Sequence, residues 1–568
     1  VSRIDPSART APAWAWIGLA LALLLATWLR GHTFGPDVHR LTGFAPWPVS
    51  AGETEPLDCD EAVYLYCARR QLDGDAMYRD LTDTKPPGGY WLYAMAARVG
   101  GPTELTVRIL PVPLVIVAVA LVWSIGRRLG GPVAAVAAAL AYAIASTDPS
   151  LFGNGANFEH AINAASLAAL AILIGAWSTA RRWPLAAAGA CVGLAALVKQ
   201  PAAAPIAVFA AALMMRGGRA WKAKIADVST LVAGFAIAIG IAAAVLAAQG
   251  ALPAAIDDVI RYGGALATDT RPDPTAPSPA VRWLTGNADP AGALPPPFGT
   301  TDYLTWWATG TWPLWLASAP SLLWLAIGRA DARRRLVAAW TLAAWAQVVA
   351  PGLYWPHYYL LPLPGAAIAV AVAMADALRA ARSDRRPIRG AAGLVVGLAL
   401  GASIAAIGGL LVRDYLLLRP TELTIRHKGG RQWVVLRALG RDLARRTRGW
   451  SGPRPSLFVW GWQSPLYVDS GLDGASRQVF VDNLMRDRAG TDHPIVGPRF
   501  DRILAELRER PPAIVYAGYP PPPALLDFLR RGYEPSRLTP SAPDGRGLWV
   551  ERGRYEAFEA AGPSTTRR

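Results

Sequence analysis

The chain has 568 residues, of which 53% are hydrophobic and 17% charged, with a formal net charge of +16. Runs of about 20 uncharged residues within that composition exclude an ordinary soluble domain and indicate a membrane protein. Most of the excess Lys and Arg falls in short clusters between apolar runs, which fits membrane orientation rather than nucleic acid, and no aromatic-basic RNA-binding module is present.

The first apolar run, 13–29, is long for a signal-peptide core and lacks a clear small-residue cleavage site, so it is expected to be an anchor. Arg3 and Arg9 flank it on the N-terminal side. The stretch 57–93 follows, LDCDEAVYLYCARRQLDGDAMYRDLTDTKPPGGYWLY, and it carries most of the chemistry. It opens with paired acids, Asp60-Glu61, ahead of a helix expected over 61–71. It closes on a proline-stiffened basic turn, Lys85-Pro86-Pro87-Gly88-Gly89. Sugar transfer from a lipid phosphate needs a group to take a proton from an acceptor hydroxyl and another to neutralise the departing phosphate. The acids and the lysine are of those types.

Each has a plainer reading beside the chemical one. Asp60 also suits the N-cap of the helix, since Asp is a favoured cap and an acid there suits the helix dipole. Glu61 lies about 100° round the helix from Asp60 and is free to serve a different partner. Lys85 either clamps a phosphate or snorkels to lipid headgroups. Pro86 and Pro87 hold its backbone extended, and Gly88-Gly89 allow close approach. Cys59, Cys67 and Cys191 form no disulfide framework or metal-ligand spacing. Cys59 and Cys67 would stand roughly 12 Å apart on a helix, too far to bridge.

Further spans are expected near 107–125, 132–147, 160–178, 184–198, 201–215, 228–249, 304–327, 336–350, 359–378 and 391–412, about eleven in all with the first. The basic groups at 127–128, 181–182, 216–224, 333–335 and 379–389 occupy alternate loops, whereas 147–160 and 351–358 hold no Lys or Arg. The basic loops and the N-terminus are therefore expected to be cytoplasmic. The Asp60 loop, the Glu159 loop, the 250–303 loop, the His357 turn and the tail then face outward, on one side of the membrane.

Glu159 opens a span and is either a helix-start acid or a second acid of the site; Asp148 competes with it in the same loop. Lys199, between two spans, is a charge that needs a partner or water, and a donor phosphate or the interface would serve. His357, in Trp355-Pro356-His357-Tyr358, touches phosphate or sugar, or belongs to an interfacial aromatic belt. Arg261 in the longest inter-span loop is a weaker anion ligand. The tail from about residue 414 alternates strand-like runs (456–461, 478–481, 513–518, 548–551) with helix-like ones (499–508, 524–531). A small α/β domain outside the membrane is expected. No Gly-rich nucleotide loop stands at a strand end. The domain limits expected are 1–412 for the membrane domain, with its first loop at 30–106, then 413–555 for the α/β domain and 556–568 for a disordered tail.

The pattern Asp60-Glu61-x-x-Tyr64, Tyr78-Arg79-Asp80 and Lys85-Pro86-Pro87-Gly88 resembles glycosyltransferase family 39, the protein O-mannosyltransferases and the bacterial aminoarabinose transferases of lipid A. Glu159 in GANFEH, GLAALVKQ at 193–200, Pro356-His357-Tyr358 and VWGWQSPLY in the tail agree with it. The resemblance covers about 13–480 and implies the helical GT-C membrane fold, with an inverting transfer from a polyprenyl-phosphate sugar at the extracytoplasmic face of a bacterial inner membrane. It makes Asp60 the expected base, with Glu61 and Glu159 as companion acids. Lys85, Lys199, His357 and Arg261 become the expected phosphate ligands, and Tyr64, Tyr78 and Tyr90 the expected pocket wall. No cofactor or nucleotide is implied; a divalent metal remains compatible. The acceptor, whether lipid, glycan or protein, is unspecified, and no nucleic-acid partner is implied. Two departures stand out. Val63 occupies the place where aminoarabinose-type relatives carry a basic residue, and the tail is too short for the carbohydrate module of the O-mannosyltransferases. A lipid or sugar transporter or flippase would also be polytopic, but should carry charges at span centres or a repeat of broken helices. A metal-dependent oligosaccharide transferase using Asp60, Glu159 and a tail Asp is the nearer rival.

Overall fold

The structure, a computed structural model, describes residues 11–43, 47, 52–265, 310–327, 331–351, 355–383, 387–428, 430–450, 455–481, 496–539 and 541–561. Apolar helices meet each expected span: Ala13–Gly31, Pro111–Ala145, Phe158–Gly175, Trp183–Ala196, Pro205–Met214, Trp221–Ala248, Trp312–Ile327, Ala332–Val349, Leu363–Ser383 and Pro387–Leu417. Among the described residues, 6 helices are long and apolar enough to cross a membrane. The segment Pro111–Ala145 supplies two of the expected spans, because Gly131 takes φ +82° ahead of Pro132 and breaks it at the basic turn. Of the expected 304–327 span, only the part from 310 lies within the described residues.

Small residues let one helix pair approach closely. A Cβ on Gly189 would stand 1.9 Å from the Leu231 carbonyl oxygen, and one on Gly234 1.9 Å from that of Ala186. The helices Trp183–Ala196 and Trp221–Ala248 thus meet backbone to backbone, the packing that serves where lipid supplies no hydrophobic drive between helices.

Among the described residues the tail forms a 5-stranded sheet. Its strands are β1 (Ser456–Trp460), β2 (Asp473–Gly474), β3 (Ile514–Ala517), β4 (Tyr533–Pro535) and β5 (Gly547–Glu551), in the order β2-β1-β3-β5-β4. β1 is parallel to β2 and β3, whereas β5 is antiparallel to β3 and β4. Alternation along β1 sends Leu457 and Val459 to one core and Phe458 and Trp460 to another, so the sheet is covered on both faces. Two tail expectations fail. Residues 478–481 are not a strand, because their surroundings are bonded elsewhere: the Arg477 carbonyl accepts the Thr82 N–H at 3.0 Å, and the Gln478 side chain bonds the Phe480 carbonyl at 2.7 Å. The end of the tail is not wholly disordered either, since Tyr555–Ala560 is a helix with Phe558 fully buried; 562–568 lie outside the described residues.

The tail domain does not stand apart from the first loop. Tyr64 and Tyr66 of the helix Cys59–Leu72 share one buried cluster with Trp433, Val459, Tyr467 and Phe480. Polar ties between the two regions include Ser464 Oγ to the Cys59 carbonyl (2.6 Å), Gly474 N–H to Tyr66 Oη (2.6 Å), Arg69 to the Leu472 carbonyl (2.9 Å) and Arg437 to the Glu55 carbonyl (2.6 Å). Lys428 and Glu55 pair at 2.8 Å with both side chains buried, and Asn154 and Thr424 complete the Glu55 carboxylate.

Candidate active site

The first-loop helix begins at Cys59 and is capped by Asp58, not Asp60. Asp58 Oδ1 accepts the Glu61 N–H at 2.9 Å and Glu61 Oε2 accepts the Asp58 N–H at 3.2 Å, a reciprocal capping box. Burial, with the Glu61 charge beside it, raises the Asp58 carboxyl above the usual carboxylate range. Asp60 therefore has no capping duty. Its carboxylate is partly exposed and lies 3.7 Å from His357 Nε2.

Glu61 leaves the expected set of catalytic acids. It is fully buried; Oε1 takes Arg108 at 2.6 Å and the Ala156 N–H at 2.8 Å, and Oε2 is the one used in the capping box. Its work is to tie the first loop to the second, because adjacent positions on a helix start face different partners.

The Lys85 turn is built by its neighbours. Asp83 Oδ1 accepts the Lys85 N–H at 3.3 Å in a local turn, and Tyr78 Oη donates to the Lys85 carbonyl at 2.7 Å. The Lys85 ammonium sits 3.7 Å from Asp83 Oδ2, over the rings of Tyr64 (5.4 Å) and Phe480 (5.5 Å). Tyr64 stacks on Phe158 with ring centroids 3.8 Å apart, and Tyr90 meets Phe158 edge-on. Tyr64, Tyr78 and Tyr90 are all buried, which corrects their expected place in a pocket wall: they pack beneath the lysine turn, Tyr64 and Tyr90 through their ring contacts and Tyr78 through its bond to the Lys85 carbonyl. Tyr78 does this at φ +70°, an unusual backbone for a non-glycine residue.

Glu159 lies in the first turn of Phe158–Gly175, beside that stack, and is fully buried. Its Oε1 accepts a hydrogen bond from the Lys199 ammonium, while Oε2 has no hydrogen-bond partner among the described residues. Lys199 in turn sits over the Tyr358 ring at 4.5 Å. Burial lowers the His357 imidazole to about 3, with the charges of Glu159, Lys199 and Lys85 as smaller effects. Asp60 thus meets His357, Lys199 meets Glu159 under the neighbouring Tyr358, and Lys85 lies over the Tyr64 ring that stacks on Phe158 beside Glu159, so five residues from separated segments contribute. Arg261 is not among them: it is exposed on the π-helix Ile256–Tyr262, whose Asp257 and Asp258 are held by Arg499. Sequence reasoning missed Asp83, whose signal was its place two residues before Lys85. It also left Tyr358 and Ser464 without a role, although both stand in motifs that carry the resemblance, and it missed Phe480, which carries no local signal.

Asp148, the competing acid, is elsewhere. It caps the short helix Pro149–Leu151 by accepting the Ser150 N–H at 2.9 Å and is fully buried. Burial pushes its carboxyl up to about 6, against the opposing pull of His427 and the Ser150 hydrogen bonds. An acid whose folded value is raised favours the protonated state, so its penalty grows as pH rises from the unfolded value to about 6 and stays thereafter. Asp148→Asn keeps the capping oxygen and removes the charge. It is expected to raise stability by roughly 1–3 kcal/mol at pH 7.5 and by little near pH 4, read as thermal midpoints in nanodiscs. An equal gain at both values would place the effect outside ionisation.

Among the described residues no group of three or more His, Cys, Asp and Glu is arranged to hold a metal ion. The three cysteines are free thiols.

Residues 84–246 match a protein-family model described as dolichyl-phosphate-mannose-protein mannosyltransferase, a stretch that takes in Lys85, Glu159 and Lys199. No curated protein sequence matches the chain. Among solved structures, ArnT from Cupriavidus metallidurans bound to undecaprenyl phosphate is similar at 17% identity and TM-score 0.54, over 95% of this chain and 98% of that one. The apo-form oligosaccharyltransferase of Archaeoglobus fulgidus is similar at 13% identity and TM-score 0.55, over 88% of this chain and 69% of that one. The archaeal oligosaccharyltransferase AglB from Archaeoglobus fulgidus, in complex with an inhibitory peptide and a dolichol-phosphate, reaches TM-score 0.52 at 13% identity, over 89% of this chain and 69% of that one. The family match and the fold bear out the resemblance to family 39 and to the GT-C membrane architecture.

Proposed function

We propose that the chain is a membrane glycosyltransferase that moves a sugar from a polyprenyl-phosphate donor to an acceptor hydroxyl at the outward face of a bacterial inner membrane. The observation that carries this reading is a carboxylate without a capping duty, Asp60, beside His357, with the Lys199 ammonium over the adjacent Tyr358 ring and the Lys85 ammonium over the Tyr64 ring. Lipid phosphates in the similar structures, undecaprenyl phosphate with ArnT and dolichol-phosphate with AglB, support the class of donor.

In the mechanism, the acceptor oxygen attacks the anomeric carbon from the side opposite the phosphate. Asp60 takes the hydroxyl proton, the bond from carbon to phosphate oxygen breaks, and its electron pair leaves with polyprenyl phosphate. Lys85 and Lys199 stabilise the charge that develops on the phosphate. Glu159 holds Lys199 in place until the phosphate arrives, and His357 borders Asp60. Tyr64, Tyr78 and Asp83 keep the Lys85 turn in one shape, so little ordering remains for the moment of reaction.

The test is release of free polyprenyl phosphate from a panel of polyprenyl-phosphate sugars by the purified protein in nanodiscs. Lys85→Ala is expected to raise the donor KM at least tenfold, the loss of one charge-assisted contact. An unchanged donor KM would return Lys85 to simple snorkelling. Absence of release from every donor would count against the whole reading.

A further inference from the structure

The tail motif VWGWQSPLY has no part in the mechanism so far, yet it occupies a distinctive place in the sheet. The chain leaves β1 for β2 on one side and returns to β3 on the other, so the carboxyl ends of β1 and β3 form a topological switch point. Open α/β sheets bind ligands in the crevice at such a point. Two glycines floor it here, Gly461 directly after β1 and Gly518 directly after β3. Gly461 takes φ +156°. The Gly518 N–H bonds the Trp460 carbonyl at 2.9 Å, which ties the two strand ends together.

The carboxamide of Gln463 lies across both glycines. A Cβ on Gly461 would come within 2.0 Å of Gln463 Oε1, and one on Gly518 within 2.2 Å of the same atom. That oxygen is buried and has no hydrogen-bond partner among the described residues. A buried carbonyl without a donor is costly and marks a place where a donor belongs. The ring of Tyr519 borders the floor, 3.4 Å from the Cβ position of Gly461. The next residue, Ser464, donates its hydroxyl to the Cys59 carbonyl at 2.6 Å, and Cys59 directly precedes Asp60. The switch point therefore abuts the start of the helix that carries the proposed base.

We infer that this switch point is the acceptor subsite, and that its ligand is a neutral, hydroxylated sugar ring of a glycan acceptor. The inference rests on the reading of Asp60 as base. An amide oxygen takes a sugar hydroxyl as donor, an aromatic ring takes the apolar face of the sugar, and neither carries a charge that would select a phosphate. The donor phosphate has its own cations in Lys85 and Lys199, so the second sugar in the reaction is the one left to be held. Gln463 bonds a hydroxyl of the acceptor while another hydroxyl reaches Asp60.

The test uses the full chain in nanodiscs and a panel of methyl glycosides as probes, followed by saturation-transfer NMR. Wild-type protein is expected to bind at least one glycoside, with Gln463→Ala and Gly518→Ala each weakening that binding about fivefold to tenfold, the weight of one hydrogen bond or more. Thermal midpoints check that each variant folds, and Gln463→Asn, which keeps the amide but shortens its reach, should also bind weakly. Glycoside binding that survives all three substitutions overturns the inference, and so does a wild-type protein that binds no glycoside. A probe displaced by the polyprenyl-phosphate sugar overturns it too, by assigning the switch point to the donor. Phosphate release is measured separately: release without glycoside binding defeats this subsite alone, whereas glycoside binding without release from any donor defeats the proposed reaction.

Discussion

Replacing Asp60 with Asn is expected to lower sugar transfer about a thousandfold, within the range that loss of a general base removes. The substitution keeps size and shape and loses only proton affinity. It should not disturb the helix, because Asp58 and Glu61 make the cap between them. Nor does it strip Asp60 of a buried ion pair, since its carboxylate is partly exposed beside His357. Release of polyprenyl phosphate in the presence of acceptor measures the effect, and the thermal midpoint should match wild type. Turnover within tenfold of wild type would remove Asp60 from the chemistry and leave the site without a base.

The second large effect is structural. Arg108→Met is expected to destabilise the protein by about 3–5 kcal/mol, because it leaves the Glu61 charge buried and unpaired. Arg108 and Glu61 meet at 2.6 Å with both side chains buried, and the same guanidinium bonds the carbonyls of Glu55 (3.1 Å) and Pro56 (2.7 Å). Pairing the change with Glu61→Gln removes the stranded charge, so the double variant should recover much of the loss. Unfolding of the four proteins of this cycle in one lipid composition gives the coupling. A double variant no better than Arg108→Met would mean that the carbonyl contacts, not the ion pair, carry the stability.

How much of this was legible depended on how local the determinant is. Hydropathy located the membrane helices, because a span is written in about 20 consecutive residues. The helix after Asp60 was legible too, but the acid weighed as its cap, Asp60, is not the one that caps it. The pattern Asp58-x-x-Glu61 is a capping-box signature; it went unread beside the paired acids. Asp60 and Lys85 could be singled out together because one loop carries both. The Glu159–Lys199 pair could be expected only as two separate residues, because 40 positions separate them and helix ends bring them together. The pocket role expected for the three tyrosines failed for a related reason. An aromatic near a catalytic loop reads the same whether its ring faces a ligand or stacks on Phe158. Least legible was the tail's grip on the first loop, since Ser464 and Cys59 are 405 positions apart and neither announces the other.

That grip sets an order in time. The helix bearing Asp60 leaves the ribosome well before Lys428, Arg437, Ser464 and Gly474, which brace it or the segment leading into it. A nascent chain thus exposes its membrane helices well before the first loop has its full set of braces. Translation itself orders the two, because the first loop is completed only by side chains made 382 and 405 positions later.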